Sequence, residues 1–193
     1  MSVRGSGLPF SNYTAMRYLE EIKRAMVLLA EDDRTVFVGQ SVAYPGNAIF
    51  NSLKDIPTTK KIELPVFEET QMGLSIGLAL NGFIPVSIFP RFNFLLLAMN
   101  QLVNHLDKIS HISHGELQPK VIIKVMVGSV HPFDPGIQHK SNFTEALRKL
   151  VDSVIVEDLT EPELIFPAYE RALSRNDGKS TILVEYGDYY NEK

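Results

Sequence analysis

Cysteine is absent from this 193-residue chain. That excludes a disulfide scaffold, a thiolate nucleophile and any zinc site built on sulfur, and it agrees with a reducing compartment. Long apolar runs are absent too. The longest, Phe92 to Met99, is broken by Asn93 and falls well short of the roughly 20 residues that a membrane-spanning helix requires. The segment Met1 to Ser11 is small and polar with one charge, Arg4, and has no apolar stretch of the signal-peptide kind. A soluble, cytoplasmic protein with no membrane partner is expected. Charge of one sign is scarce as well: the formal net charge is -4 and the Lys and Arg residues are scattered, so no basic stripe marks a nucleic-acid partner.

What is present is a core. Hydrophobic residues make up 45% of the chain, enough at this length for one self-supporting domain. We expect residues 1–13 to form a flexible N-terminal arm and residues 14–193 a single domain. Met16, Leu19, Ile22, Met26 and Leu29 recur at helical spacing, with Ser11 or Thr14 as the cap. Thr35 to Val38 then reads as a buried strand ending at Gly39, and Lys61 to Pro65 as a second strand. Glu68 to Leu80 reads as a helix closed by Asn81-Gly82.

The alternation continues to the end. Ile84 to Phe89 reads as a strand, Leu95 to Ile112 as one helix, and Val121 to Val127 as a continuous apolar strand. Asn142 to Val151 reads as a helix and Val154 to Val156 as a strand. Thr160-Glu161-Pro162-Glu163 opens a helix that runs to about Arg175, with a kink expected at Pro167, and Thr181 to Glu185 forms the last strand. Short apolar strands separated by helices define an α/β fold, a doubly wound, mainly parallel six-stranded sheet with helices on both faces. Ligands of such sheets sit beyond the carboxyl ends of the strands, where the strand order reverses.

Several segments after strands carry candidate chemistry. Pro65-Val66-Phe67-Glu68-Glu69 sets two carboxylates where a helix begins, a place where acids also serve to complement the helix dipole. Gly73 and Gly77 lie four apart on that helix. Each glycine costs about 1 kcal/mol in a helix interior, which implies close approach of a neighbour, either the sheet or the helix of a second copy. His139 lies in the long segment from His131 onward, and a neutral imidazole near pH 7 can exchange a proton or hydrogen bond with a substrate oxygen. His131 is a second candidate. His111 and His114, three apart with no carboxylate cluster beside them, read as solvated, so no metal site is expected.

Read together, Glu63-Leu64-Pro65-Val66-Phe67-Glu68 with Gly73, Gly77 and Ala79 resembles the cofactor-activating segment of the transketolase-like pyrimidine-binding domain, as found in the beta subunits of 2-oxo acid (pyruvate-type) dehydrogenases. Gly82, Pro85-Val86, Phe89, Phe92-Asn93-Phe94, Ala98, Gln101, Asn104, Lys108, Gln138-His139 and Val184-Glu185 keep the order and spacing of that family, so the resemblance spans Tyr18 to Tyr186. It implies thiamine diphosphate as cofactor, with Glu68 as the carboxyl group that hydrogen-bonds the aminopyrimidine ring nitrogen and favours its imino form. Val66 and Phe67 would keep that carboxyl dry, Phe92 would stack on the pyrimidine, and Gln40 and Phe67 would lie beside it. His139 would contact the substrate.

Departures from the family pattern qualify the reading. Gly39-Gln40-Ser41 stands where relatives have Gly-Glu-Asp, and Asn100 replaces an aspartate. Lys140-Ser141 follows Gln138-His139 in place of Ser-Gln. Arg91 stands where a small residue is common, and a guanidinium there can grip a phosphate or carboxylate of the substrate. The diphosphate and magnesium motif, Gly-Asp-Gly with a downstream asparagine, is missing from the sequence, and relatives continue past the strand at Glu185. The implied protein is the pyrimidine-binding subunit of a hetero-oligomer that transfers a ketol unit or decarboxylates a 2-oxo acid. It is inactive without a partner chain that holds the diphosphate and most of the Mg2+ ligands, and it dimerises within a heterotetramer. Two other readings stay open: the small subunit of a split sulfopyruvate- or phosphonopyruvate-type decarboxylase, and a non-catalytic binding or regulatory protein that retains the fold.

Overall fold

A computed structural model of the chain describes residues 17–131 and 133–190. The expected arm at 1–13, and with it Ser11, Thr14 and Met16, lies outside the described residues. The first helix, α1 (Tyr18–Glu31), starts from Arg17, which makes no side-chain cap. It buries Tyr18, Ile22, Ala25, Met26 and Leu29 along one face, the i, i+3, i+4 spacing that turns a single stripe inward.

Six strands follow: β1 (Thr35–Gly39), β2 (Lys61–Glu63), β3 (Ile84–Phe89), β4 (Ile122–Val127), β5 (Ile155–Asp158) and β6 (Thr181–Tyr186). All pairings are parallel and the order is β2-β1-β3-β4-β6-β5. The chain moves outward from β1 to β2 and then returns to place β3 on the other side of β1. The crevice at the carboxyl ends of β1 and β3 is therefore a switch point of the sheet.

Helices cover both faces. α1 and α7 (Pro162–Ser174) pack over one face with Phe37, Val86, Ile88, Ile122 and Leu183. α3 (Glu68–Leu80), the helical stretch after β3 and α6 (Thr144–Leu150) cover the other with Phe89, Ile123, Val125, Ile182 and Val184. The short α2 (Ala48–Ser52) is capped by Asn47, whose side chain accepts from Phe50 N at 2.7 Å. α3 closes as expected, with Gly82 at φ 89° and Asn81 Nδ2 donating to Gly77 O at 2.8 Å.

Two expectations are corrected. The single helix expected over Leu95 to Ile112 is broken into α4 (Phe92–Leu95), a 3-10 turn (Leu96–Ala98), a π-helical stretch (Asn100–Leu106) and α5 (Ile109–Ile112). Hydrophobic spacing alone does not report a change in helical pitch. The strand expected to be continuously apolar contains Lys124, fully buried and paired with Glu185. α7 runs unbroken through Pro167 to Ser174. No helix among the described residues is long and apolar enough to cross a membrane.

Candidate functional site

The loop after β1 begins at a forced glycine. A Cβ on Gly39 would lie 2.4 Å from Ile88 O of the neighbouring strand, so only glycine lets the two backbones run this close. Ser41 follows with φ 64°. Three successive backbone N–H groups then converge on one carboxylate at the end of β2: Ser41 N at 2.7 Å, Val42 N at 2.8 Å and Ala43 N at 2.8 Å all donate to Glu63. Consecutive N–H groups in such a turn form an anion-binding concavity, and here the chain supplies its own anion. Glu63 appeared in the sequence only as part of a spacing pattern. Its role depends on a loop conformation that the pattern does not encode.

That anchored loop carries Gln40, whose Nε2 donates to Glu68 Oε1 at 3.2 Å. Glu68 occupies the first position of α3 and is 4% exposed. Its Oε2 makes no hydrogen bond among the described residues. The helix start favours a carboxylate, and one oxygen is held by a neutral amide. One turn on, the fully buried Gln71 donates to Ser87 Oγ at 3.2 Å and Ile88 O at 3.0 Å, tying α3 to β3.

The neighbours expected to keep Glu68 dry are themselves open to solvent in this chain. Val66 is 69% exposed and Phe67 is 61% exposed; Glu68 is buried by its position between the loop and the helix start. Phe92 is also corrected. It is 1% exposed and meets Phe143 edge to face at 5.5 Å within the core. It opens α4, where the turn drives its side chain toward the sheet, so it has no free ring face on which a pyrimidine can stack. The close neighbour inferred from Gly73 and Gly77 is not the sheet: a Cβ at Gly77 would meet nothing within 4 Å, and one at Gly73 would touch only the Gln101 side chain at 3.8 Å.

A cavity of about 480 Å³ opens at the switch point, lined among others by Ser41, Asn47, Asn51, Pro90, Arg91 and Ser129. Arg91 reaches it from the end of β3 and is held by carbonyls of two other loops. Its Nη1 donates to Gly128 O at 2.8 Å and to His139 O at 3.4 Å, and burial lowers the pKa of the guanidinium. His139 sits in a 3-10 turn (Ile137–His139), edge-on to Phe94 at 5.4 Å, with a buried Nδ1 that has no partner among the described residues. Arg91 and His139 are thus brought together. His131 is exposed, its backbone N donates to Asp188 Oδ1 at 3.1 Å, and it lines an adjoining small cavity that shares Ala48, Asn51 and Ser129 with the first. His111 and His114 are exposed, and no group of three metal-ligating side chains occurs among the described residues.

A second polar cluster lies beneath the sheet face covered by α7. Lys124 pairs with Glu185, which also accepts from Tyr169 and Tyr190, and Lys124 Nζ donates to the Tyr190 hydroxyl at 2.9 Å. Burial pushes the Lys124 pKa down against the opposing pull of Glu185. The sequence held a signal for this cluster, since a lysine inside an apolar β run is an interior charge in need of a partner.

No family model matches the chain. Among curated proteins it is 29% identical over 140 residues to the 3-methyl-2-oxobutanoate dehydrogenase subunit beta of Mycobacterium tuberculosis, covering 68% of this chain and 38% of that one. It is 28% identical over 147 residues to the mitochondrial pyruvate dehydrogenase E1 component subunit beta of Saccharomyces cerevisiae, covering 74% of this chain and 40% of that one. The chain thus spans about two-fifths of the length of these relatives. Among solved structures it superposes on a split-gene transketolase solved as an inactive beta4 tetramer, with TM-score 0.68 and 14% identity over 89% of this chain and 52% of that one. It also superposes on the transketolase of Campylobacter jejuni, with TM-score 0.66 and 13% identity over 92% of this chain and 27% of that one.

Proposed function

We propose, from the premise that the homologues of this chain are the beta subunits of 2-oxo acid dehydrogenases and that its fold is the transketolase-like one, that it is the pyrimidine-binding subunit of a heteromeric thiamine-diphosphate-dependent enzyme. The observation that carries the reading is the state of Glu68: nearly buried, at a helix start beside the switch-point crevice, with one oxygen held by Gln40 and the other unpaired. A heteroaromatic ring nitrogen calls for one carboxyl oxygen, and this arrangement leaves one. The residues present therefore fit the aminopyrimidine end of the cofactor.

In this reading Glu68 offers Oε2 to the ring nitrogen and holds the shared proton there. Gln40 fixes the orientation of the carboxyl group, and Glu63 fixes Gln40 by clamping the loop that carries it. When bound, thiamine diphosphate supplies a thiazolium carbon for ketol transfer or for decarboxylation of a 2-oxo acid. His139 faces the substrate oxygen, with its ring oriented by Phe94. The diphosphate and Mg2+ fall to the partner subunit.

A protein partner is supported by the exposed apolar residues near the site. Val66, Phe67, Leu74, Leu96 and Leu97 stand open in this chain, and nothing crosses Gly77. Exposed apolar area of this kind marks contact surfaces. Two copies of this chain with two copies of the partner would cover it.

The test is a calorimetric titration of thiamine diphosphate with Mg2+ into this chain, alone and mixed with a candidate partner chain that carries the diphosphate motif. Uptake by the mixture supports the proposal. No uptake in either experiment would favour a binding protein that retains the fold without the chemistry.

A further inference from the structure

We infer that Arg91 is the oxyanion receptor of the switch-point cleft, binding a carboxylate or phosphate group of the substrate through the Nε–Nη2 edge of its guanidinium. This rests on reading the cleft as the substrate side of the cofactor site. It adds what fixes the substrate there and which chemical group the substrate must carry.

Three observations converge. First, the guanidinium is anchored through one nitrogen only: Nη1 uses its two hydrogens on Gly128 O and His139 O, and Nε and Nη2 make no hydrogen bond among the described residues. The Nε–Nη2 edge is one of the two-pronged faces of a guanidinium that match the paired oxygens of a carboxylate or phosphate. Second, Arg91 forms no ion pair among the described residues, and the cavity it lines carries no acidic side chain. Its burial nevertheless disfavours the charge. A half-buried cation without a counterion is better satisfied when a ligand brings one. Third, the anchoring carbonyls belong to different segments, one after β4 and one in the Ile137–His139 turn, so the receptor is set in place before a ligand arrives. Preorganisation of this kind reduces the cost of binding. The same anchor at His139 O ties the receptor to the backbone of the turn that carries the imidazole, and Ser41, Asn51 and Ser129 bring side-chain donors to the same cavity.

The test uses the 193-residue chain and its Arg91→Gln and Arg91→Lys variants, each first checked for an unchanged melting profile. Inorganic phosphate and acetate are titrated at constant ionic strength, with sodium chloride as control, while the backbone amide resonances of Gly128, Ser129 and His139 are followed by NMR. Saturable shifts are expected for the wild type with at least one oxyanion, weakened about tenfold or more in Arg91→Gln and by less in Arg91→Lys, which keeps the charge and loses the fork. Preference for phosphate identifies a phosphorylated substrate, and preference for acetate a carboxylate substrate. The inference is overturned if Arg91→Gln titrates like the wild type, if neither anion saturates, or if chloride produces the same shifts. Displacement of phosphate by thiamine diphosphate without the partner chain would also overturn it, by assigning the arginine to the cofactor. Failure of the cofactor reading itself would leave these titrations unchanged and would appear only as absent cofactor uptake with the partner.

Discussion

Gln40 Nε2 stands 3.2 Å from Glu68 Oε1, so a neutral amide is paired with a nearly buried carboxyl group. A glutamate at position 40, as the family pattern has it, would place a second acid against Glu68, and two carboxylates so close share a proton between them. The amide avoids that competition. It holds one oxygen of Glu68, and in the proposed function the other is offered to the cofactor ring.

Glu68→Gln should therefore separate folding from function. The replacement amide can still pair with Gln40, so the melting temperature of the chain is expected to stay close to the wild-type value. Turnover of the enzyme assembled with its partner should fall by about 100-fold or more, in line with losing a positioned acid–base group. Thermal unfolding of the single chain and steady-state rates of the assembled enzyme check the two halves. Near-normal turnover would rule out the assigned role.

Glu63→Ala should act one step further away. It removes the only acceptor seen for Ser41 N, Val42 N and Ala43 N, and hydrogen bonds to a charged group contribute roughly 1.5–3 kcal/mol. The loop is partly solvated, so a stability loss at the lower end of that range is expected. Amide hydrogen exchange at residues 41–43 should speed up while exchange in β4 stays slow, and unchanged protection at 41–43 would contradict the clamp.

The parallel sheet was legible because buried strands and amphipathic helices alternate along the sequence, and the near-burial of Glu68 at a helix start agrees with its distinctive spacing from Pro65, Gly73 and Gly77. The packing of Phe92 was not legible. A phenylalanine in a site-like segment and one in a core segment look alike until the turn that opens α4 sets the direction of its ring. Glu63 and Lys124 were missed for a related reason. Each is satisfied by groups distant in sequence, the loop N–H groups for one and Glu185 with Tyr190 for the other, and periodicity carries no record of such partners.

The Lys124–Glu185 pair predicts that a second substitution repairs the damage of the first. Lys124→Met fits the same volume but strands the Glu185 charge in the core, with only the hydroxyls of Tyr169 and Tyr190 to bond it. Breaking a buried pair in this way costs about 3–5 kcal/mol. Adding Glu185→Gln removes the stranded charge, keeps one acceptor oxygen for Tyr169 and turns an amide N–H2 toward the Tyr190 hydroxyl oxygen, so the double variant should recover most of the loss. Urea unfolding of the two variants tests this. Additive destabilisation would show that the pair is not the unit proposed.

Phe67 and Phe92 separate surface from core. Phe92→Ala empties a fully packed site and should cost about 3–5 kcal/mol. Phe67→Ala, at 61% exposure, should change stability by no more than about 0.5 kcal/mol but weaken association with the partner chain. Chemical denaturation gives the first comparison and sedimentation of mixtures the second. If Phe67→Ala assembles with undiminished affinity, the exposed ring is not part of the contact.

Asp107 sets the acid sensitivity of the fold on the side away from the cleft. It is 1% exposed, and its carboxylate accepts from Asp152 N, Ser153 N and Val154 N and pairs with Lys108 at 2.8 Å. Burial pushes its pKa up, but the Lys108 ammonium and the three backbone N–H groups outweigh that and hold it below the usual carboxylate value. Because the folded pKa is the lower one, the stabilisation is complete above the unfolded value of about 3.9 and is lost as the pH falls through the folded value. Asp107→Asn cannot carry the charge and offers one acceptor oxygen in place of two, so it should be less stable than the wild type by about 1.5–3 kcal/mol at pH 7. That gap should hold down to about pH 5 and narrow below about 3.9 as the wild-type carboxylate takes up its proton. Urea unfolding of both proteins at pH 7, 5 and 3 measures the gap directly. A gap that stays constant to pH 3 would mean that the charge of Asp107 contributes nothing to the fold.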